Sequence, residues 1–168
     1  MLHHVSVGVS DVLRAAKFYD AVLGTLGYRR VMEFLPHAVA YGTDHPEFWI
    51  QLPADGRMMT NGNGVHLGFS ARSKAQVISF HEVALKEGGS NNGEPGPRAD
   101  YGPDYFGAFI FDLDGNKIEA TLHAAPTNKT QAAKKPAKKA KKAVKKQAPK
   151  KAVKKSAKKA VKKKAKRR

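Results

Sequence analysis

Gly64-Val65-His66-Leu67-Gly68-Phe69-Ser70-Ala71 resembles a stretch near the start of the chain, Leu2-His3-His4-Val5-Ser6-Val7-Gly8-Val9. With His66 laid on His4, both stretches read as apolar alternation opening on a histidine, the period of a strand with one buried face. The same offset of 62 residues lays Ser73 on Asp11 and Phe80 on Phe18. A second pair lies downstream, Trp49-Ile50-Gln51-Leu52 against Lys117-Ile118-Glu119-Ala120, at an offset of 68. The chain thus reads as one module used twice, each copy opening on a strand histidine and closing on a strand Gln or Glu. Two such modules facing each other would converge His4, Gln51, His66 and Glu119 on one point.

Working outward, the first module takes residues 1–53. Val5, Val7 and Val9 form the buried face of its first strand, and His4 shares the other face with Ser6 and Gly8, whose small side chains leave room above it. Asp11 is placed to cap a helix by accepting from its free N–H groups. Leu13, Ala16, Phe18, Val22, Leu23 and Leu26 form its stripe, and Gly27 its stop. Three short strands follow, Tyr28 to Leu35, Ala38 to Gly42 and Phe48 to Leu52, punctuated by Pro36, Pro46 and Pro53. The second module takes residues 64–124 after an Asn-Gly-Asn-Gly joint. Ser73 and Gln76 match a capping box, in which each side chain serves the other's backbone. Val77, Phe80, Val83 and Ala84 point inward, and Gly88-Gly89 ends the helix. The Gly-, Pro- and Asn-rich stretch from Ser90 to Pro103 predicts a loop holding at most one short strand, a candidate lid. Phe106 to Asp112 and Lys117 to Leu122 form a hairpin turning at Asp114-Gly115-Asn116, with Lys117, Glu119 and Thr121 on one face and Glu119 on an edge strand.

Charge divides the chain. Of its 31 Lys and Arg, 21 follow Thr127, where no acid occurs. Residues 1–126 hold 10 basic and 14 acidic residues, a net of −4 within a chain of net +17. A mildly acidic core domain over 1–126 therefore carries a basic tail over 127–168. With no cysteine, disulfides and thiolate metal sites are excluded. No secretory pattern opens the chain, and no apolar run approaches the roughly 20 residues that span a bilayer. The expectation is a soluble, cytoplasmic protein.

Four stretches carry a family resemblance: His4-Val5-Ser6-Val7-Gly8-Val9-Ser10-Asp11; Phe18-Tyr19 with Leu23-Gly24; His66-Leu67-Gly68-Phe69; and Phe111-Asp112-Leu113-Asp114-Gly115-Asn116-Lys117-Ile118-Glu119. In this order they resemble the vicinal oxygen chelate superfamily, which includes glyoxalase I, bleomycin-resistance proteins, fosfomycin-resistance enzymes and extradiol dioxygenases. The resemblance covers residues 1 to about 124. It implies an α+β fold of two βαβββ modules forming a U-shaped mixed sheet around a metal and substrate site. It also implies one divalent metal held by His4, His66 and Glu119, with Gln51 where glyoxalase I-like members have a fourth ligand, usually Glu. Two imidazoles and a carboxylate suit Zn, Ni, Fe or Mn, acting as a Lewis acid on a small substrate with vicinal oxygens. Glu119 is the candidate catalytic base, because the Gln51 amide cannot take a proton. The segment from Gly96 to Phe106 looks like a subgroup described only as glyoxalase- or dioxygenase-like, and nothing selects glutathione, fosfomycin or catechol.

Simpler readings stand beside these. His4 could be a frayed terminal residue, His66 a satisfied core histidine, and Glu119 a water-facing edge acid. Phe48, Trp49, Tyr101, Tyr105 and Phe106 are candidates for a substrate pocket or for core and surface, and Arg98 for an anionic substrate or for solvent. His3, His37, His45, His81 and His123 lack a histidine partner in the repeat and read as structural or exposed.

The tail resembles those of linker-histone-like proteins. It carries Lys134, Lys135, Lys138, Lys139, Lys141, Lys142, Lys145, Lys146, Lys150, Lys151, Lys154, Lys155, Lys158, Lys159, Lys162, Lys163, Lys164, Lys166, Arg167 and Arg168. Mutual repulsion and a lack of apolar residues predict a disordered tail. Its natural partner is nucleic acid, bound without sequence preference, which would place the protein on nucleoid or chromatin. Three functions remain: a metal-dependent lyase, isomerase or dioxygenase of glyoxalase type; a module that sequesters a small ligand such as a drug; or a homodimer whose tail is the main activity.

Overall fold

The computed structural model describes residues 2–122; the tail residues from Lys134 to Arg168 lie outside them. The first module runs β1 (Val5–Gly8), α1 (Val12–Gly24), β2 (Arg29–Phe34), β3 (Ala38–Gly42) and β4 (Phe48–Gln51). The second runs β5 (His66–Ser70), α2 (Lys74–Lys86), β6 (Ser90–Pro97), a 3-10 turn at Ala99–Tyr101, β7 (Phe106–Phe111) and β8 (Lys117–Leu122). Each forms a four-stranded mixed sheet, β1-β4-β3-β2 and β5-β8-β7-β6, in which the first and last strands of the module pair in parallel. This is the paired βαβββ, α+β architecture expected. Among the described residues no strand ladder joins the two sheets.

Local chemistry explains the elements. Asp11 stands in extended conformation and accepts from the Arg14 N–H at 2.9 Å, which fixes the start of α1 at Val12. From that start the apolar positions Val12, Ala15, Ala16, Tyr19, Val22 and Leu23 fall on one face and are buried. Leu13, expected on that stripe, sits about 100° round the helix and is 58% exposed. After α1, Gly27 takes φ 88°, a left-handed turn that glycine adopts without a Cβ clash, and Tyr28 N–H returns to the Leu23 carbonyl. Ser73 caps α2 through the Gln76 N–H, whereas the Gln76 side chain reaches the Arg72 N–H, one residue before the cap predicted for it.

Two readings of the second module are corrected. Ser90 to Pro97 is a paired strand rather than a lid. It lies at the edge of its sheet, where one side of the backbone needs no partner, so Pro95, Pro97, Gly93 and Gly96 are tolerated; register shifts at Asn91/Gly93 and Gly93/Gly96 absorb the irregularity. Glu119 does not lie on an edge strand, because β8 runs between β5 and β7.

One core spans both modules. Tyr19, Tyr41, Phe18, Phe80, Ile50, Ile110 and Ile118 are its large buried side chains. Phe48, a pocket candidate by sequence, belongs here, 5.1 Å from the rings of both Tyr19 and Phe69. A polar seam also crosses between the modules. Arg14 pairs with Asp114 at 2.7 Å, Ser10 donates to the same carboxylate, and the Asn116 amide donates to the Gly8 carbonyl at 3.1 Å. Behind it the buried Asp112 accepts from the Asp114 and Asn116 N–H groups, the Asn116 amide and the Tyr19 hydroxyl. Burial, first, and the adjacent carboxylate raise Tyr19 well above the ordinary tyrosine pKa, so it stays a donor.

Candidate functional site

Strand register decides which side chains meet. His66 pairs with Lys117, Gly68 with Glu119 and Ser70 with Thr121 across β5 and β8. Parallel neighbours point to the same face, so His66, Lys117 and Glu119 stand together on the side of the sheet opposite the helices. His66 Nε2 is 3.2 Å from Glu119 Oε2, beside Gly68, where a Cβ would stand in ordinary contact 3.7 Å from the same oxygen. The other carboxylate oxygen accepts a short hydrogen bond from the Tyr105 hydroxyl. Glu119 is only 6% exposed, an acid buried on a sheet face and held from both sides.

Tyr105 was legible only as one of several pocket aromatics. It is buried, and its pKa is pushed up to about 12, first by burial and then by the Glu119 carboxylate it serves. At neutral pH it remains protonated and keeps donating. Gly107 makes its place: a Cβ there would lie 2.6 Å from the Tyr105 oxygen. Tyr101 is exposed and meets the Tyr105 ring edge to face at 5.0 Å.

The first module aligns differently from the sequence pairing. Val9 N–H bonds to the Gln51 carbonyl at 3.0 Å, and Ala71 N–H bonds to the Thr121 carbonyl at 2.8 Å. The helix caps Asp11 and Ser73 keep the 62-residue offset that joins His4 to His66. Gln51 therefore matches Thr121, and Trp49 matches Glu119: the offset between the last strands is 70, not 68. Gln51 stands beside Gly8, in a cleft shared with Ser6, Pro53, Met58, Met59 and Thr60 that contains neither His66 nor Glu119. The room above Gly8 is filled by the chain itself, since a Cβ there would meet Met59 Cβ at 3.0 Å. Trp49 faces the open side of its sheet, stacked on Phe34 at 6.1 Å and 12°.

His4 is exposed, just ahead of β1, with its Nδ1 2.9 Å from that of His3. Of the four residues expected to converge, the structure brings together His66 and Glu119. Among the described residues no three His, Asp or Glu side chains stand close enough to hold a metal ion as placed. The donor set His4, His66 and Glu119 fits a borderline divalent cation in its chemistry, with two members assembled and the third at the matching position of the other module. Among the described residues, His81 is buried against the Asn91 side chain, His45 stands 4.0 Å from Glu47, and the His37 backbone N–H donates to the Phe34 carbonyl; His123 lies outside them.

Two cations flank the acid. The Lys117 amine lies 5.0 Å and the Arg98 guanidinium 5.6 Å from the centre of the Phe109 ring, and Phe109 is the cross-strand partner of Glu119. Arg98 is fixed by the carbonyls of Glu94 and Pro97 and occupies the space that side chains at Gly93 and Gly96 would fill.

Residues 1–120 match the family model described as the Glyoxalase/Bleomycin resistance protein/Dioxygenase superfamily. The chain is similar to a glyoxalase/bleomycin resistance protein from Albidiferax ferrireducens T118, at 39% identity over 74% of this chain and 99% of that one, with a TM-score of 0.67. It shares its fold with a glyoxalase-related enzyme from Fulvimarina pelagi, at 19% identity, 73% and 88% coverage and TM-score 0.57. The same holds for a lactoylglutathione lyase from Agrobacterium tumefaciens, at 18% identity, 73% and 92% coverage and TM-score 0.53. No curated protein matches the chain.

Proposed function

We propose that this chain, which belongs to the glyoxalase/bleomycin resistance protein/dioxygenase superfamily, is a metal-dependent enzyme of the glyoxalase-like class acting on a small substrate with vicinal oxygens. The observation that carries the reading is Glu119: a carboxylate buried on an open sheet face, beside an imidazole and under a tyrosine hydroxyl. A buried acid with two fixed partners is an arrangement used for proton transfer and ligand binding.

His4, His66 and Glu119 would hold one divalent metal, Zn, Ni, Fe or Mn, whose chemistry when bound is that of a Lewis acid toward the substrate oxygens. The chain's own residues do the rest. Glu119 takes and returns the substrate proton. Tyr105 holds one carboxylate oxygen, leaving the other for His66 and the incoming group. Phe109 and Tyr101 give the face apolar walls. Tail lysines and arginines, outside the described residues, would bind nucleic acid without sequence preference.

The test is turnover on 2-oxoaldehyde–thiol adducts and vicinal diols. Glu119→Gln keeps the shape and removes the base, so it should lower kcat by about 10²-fold or more. Equal activity in both proteins would end this reading. One observation favours a second function: the stacked pair Phe34 and Trp49 faces solvent, with Phe34 57% exposed, a platform suited to sequestering a planar ligand. Saturable binding with no turnover, lost in Trp49→Ala and kept in Glu119→Gln, would select it.

A further inference from the structure

Beside His66 lies a cavity of about 440 Å³ whose walls are Val7, residues 61–67, Asn92, Phe111 and residues 115–117. Its chemistry is one-sided. The side-chain amides of Asn61, Asn63 and Asn92 form its polar wall without donating to any described residue, Lys117 supplies a cation, and no carboxylate lines it. Asn91, by contrast, is spent on Glu94 and His81. Lys117 has no ion pair or hydrogen bond among the described residues; its amine rests only over the Phe109 ring. Arg98, on the same ring, binds carbonyls and no acid. An uncompensated cation is therefore held at the site in a domain whose residues 1–126 carry a net −4. Its ladder partner is His66, and both side chains lie against the Phe109 ring, the amine at 5.0 Å and the imidazole at 6.3 Å from its centre.

We propose that the substrate is a small organic anion: its charged end enters this cavity against Lys117, while its reacting oxygens reach His66 and Glu119. The proposal rests on the reading of His66 and Glu119 as the reacting centre, and adds the substrate class. Amides and an ammonium suit a carboxylate or phosphate oxygen, whereas a neutral ligand would leave the cation unmatched. The low-dielectric wall of Phe111, and the Phe109 ring under the Lys117 amine, strengthen the attraction relative to open solvent.

Protein-observed NMR on the full chain tests it, because amide shifts separate this cavity from anions gathered by the tail. The probes are pyruvate, its uncharged methyl ester, and inorganic phosphate, at about 0.15 M salt to damp surface attraction. Saturable shifts at residues 61–67, 92 and 117 with pyruvate or phosphate are expected, and whichever saturates at lower concentration identifies the anion. The ester should bind at least tenfold more weakly than pyruvate. Lys117→Gln should weaken the anion about tenfold and leave the ester unchanged, while Lys117→Arg should restore binding. Ester binding as tight as pyruvate, or anion binding indifferent to Lys117→Gln, overturns the proposal. Glu119→Ala keeps the two ideas apart: anion shifts that persist there uphold the cavity even if the reacting centre fails, and their absence in wild type rejects the cavity even if Glu119 proves essential.

Discussion

Glu119 owes its tyrosine partner to one glycine. Gly107 clears the space in which Tyr105 lies over the acid, whereas a Cβ at Gly68 would rest in ordinary contact 3.7 Å from the carboxylate. Removing the hydroxyl in Tyr105→Phe leaves the ring packed but frees one carboxylate oxygen. Loss of such a supporting hydrogen bond should weaken divalent-metal affinity by about 10–100-fold with little change in fold, which titration calorimetry and circular dichroism together would read. Gly107→Ala should reach the same loss by displacing Tyr105, and destabilise the domain by about 1–3 kcal/mol through overpacking. At this scale the sequence was informative about His66 and Glu119, whose alternation set both on one face. It marked Tyr105 only as one of several pocket aromatics, because no repeat or spacing distinguishes it from Tyr101, and only the tertiary turn after β6 brings one of the two onto the acid. Gln51 was misplaced for a physical reason. A strand's own pattern fixes which face a residue takes, but not its step along a parallel ladder, so a two-residue slip kept every face and moved every neighbour.

Among the elements, the turn between β7 and β8 holds the second sheet's last two strands and the seam to the first module. Asp112 serves four donors there, one of them the buried Tyr19. Asp112→Ala should cost about 2–4 kcal/mol in urea unfolding, since it strands a buried hydroxyl and two turn amides. Ser73→Ala, which removes only a cap, should cost about 1 kcal/mol. Helices, the hairpin and most strands were legible because caps, glycine stops and apolar periods agree there. β6 was not, since prolines and glycines read as a loop until an edge position in a sheet makes them tolerable.

At the scale of the whole fold, the described residues form one core stitched by tyrosines. Tyr19, Tyr41 and Tyr105 all have raised pKa values, burial being the largest cause in each. A raised value means the folded state holds its proton after the unfolded chain, near pH 10, has lost it. Stability is therefore fully present below about pH 10 and falls as pH climbs above it. Urea midpoints followed from pH 8 to 11 should drop above pH 10 in the wild type and drop less steeply in Tyr19→Phe and Tyr41→Phe. Charge asymmetry between the acidic core and basic tail is also a property of the whole chain. Nucleic-acid affinity should fall steeply with salt, and a chain ending at residue 126 should lose it.

The most direct measurement is divalent-metal stoichiometry and metal-dependent thermal stability of the full chain, beside His66→Ala and Glu119→Ala. About one ion per chain, with a rise in Tm that each substitution abolishes, is the predicted result. A wild type that takes up no ion, or three proteins that bind and melt alike, would contradict the account of His66 and Glu119 as the centre of the site.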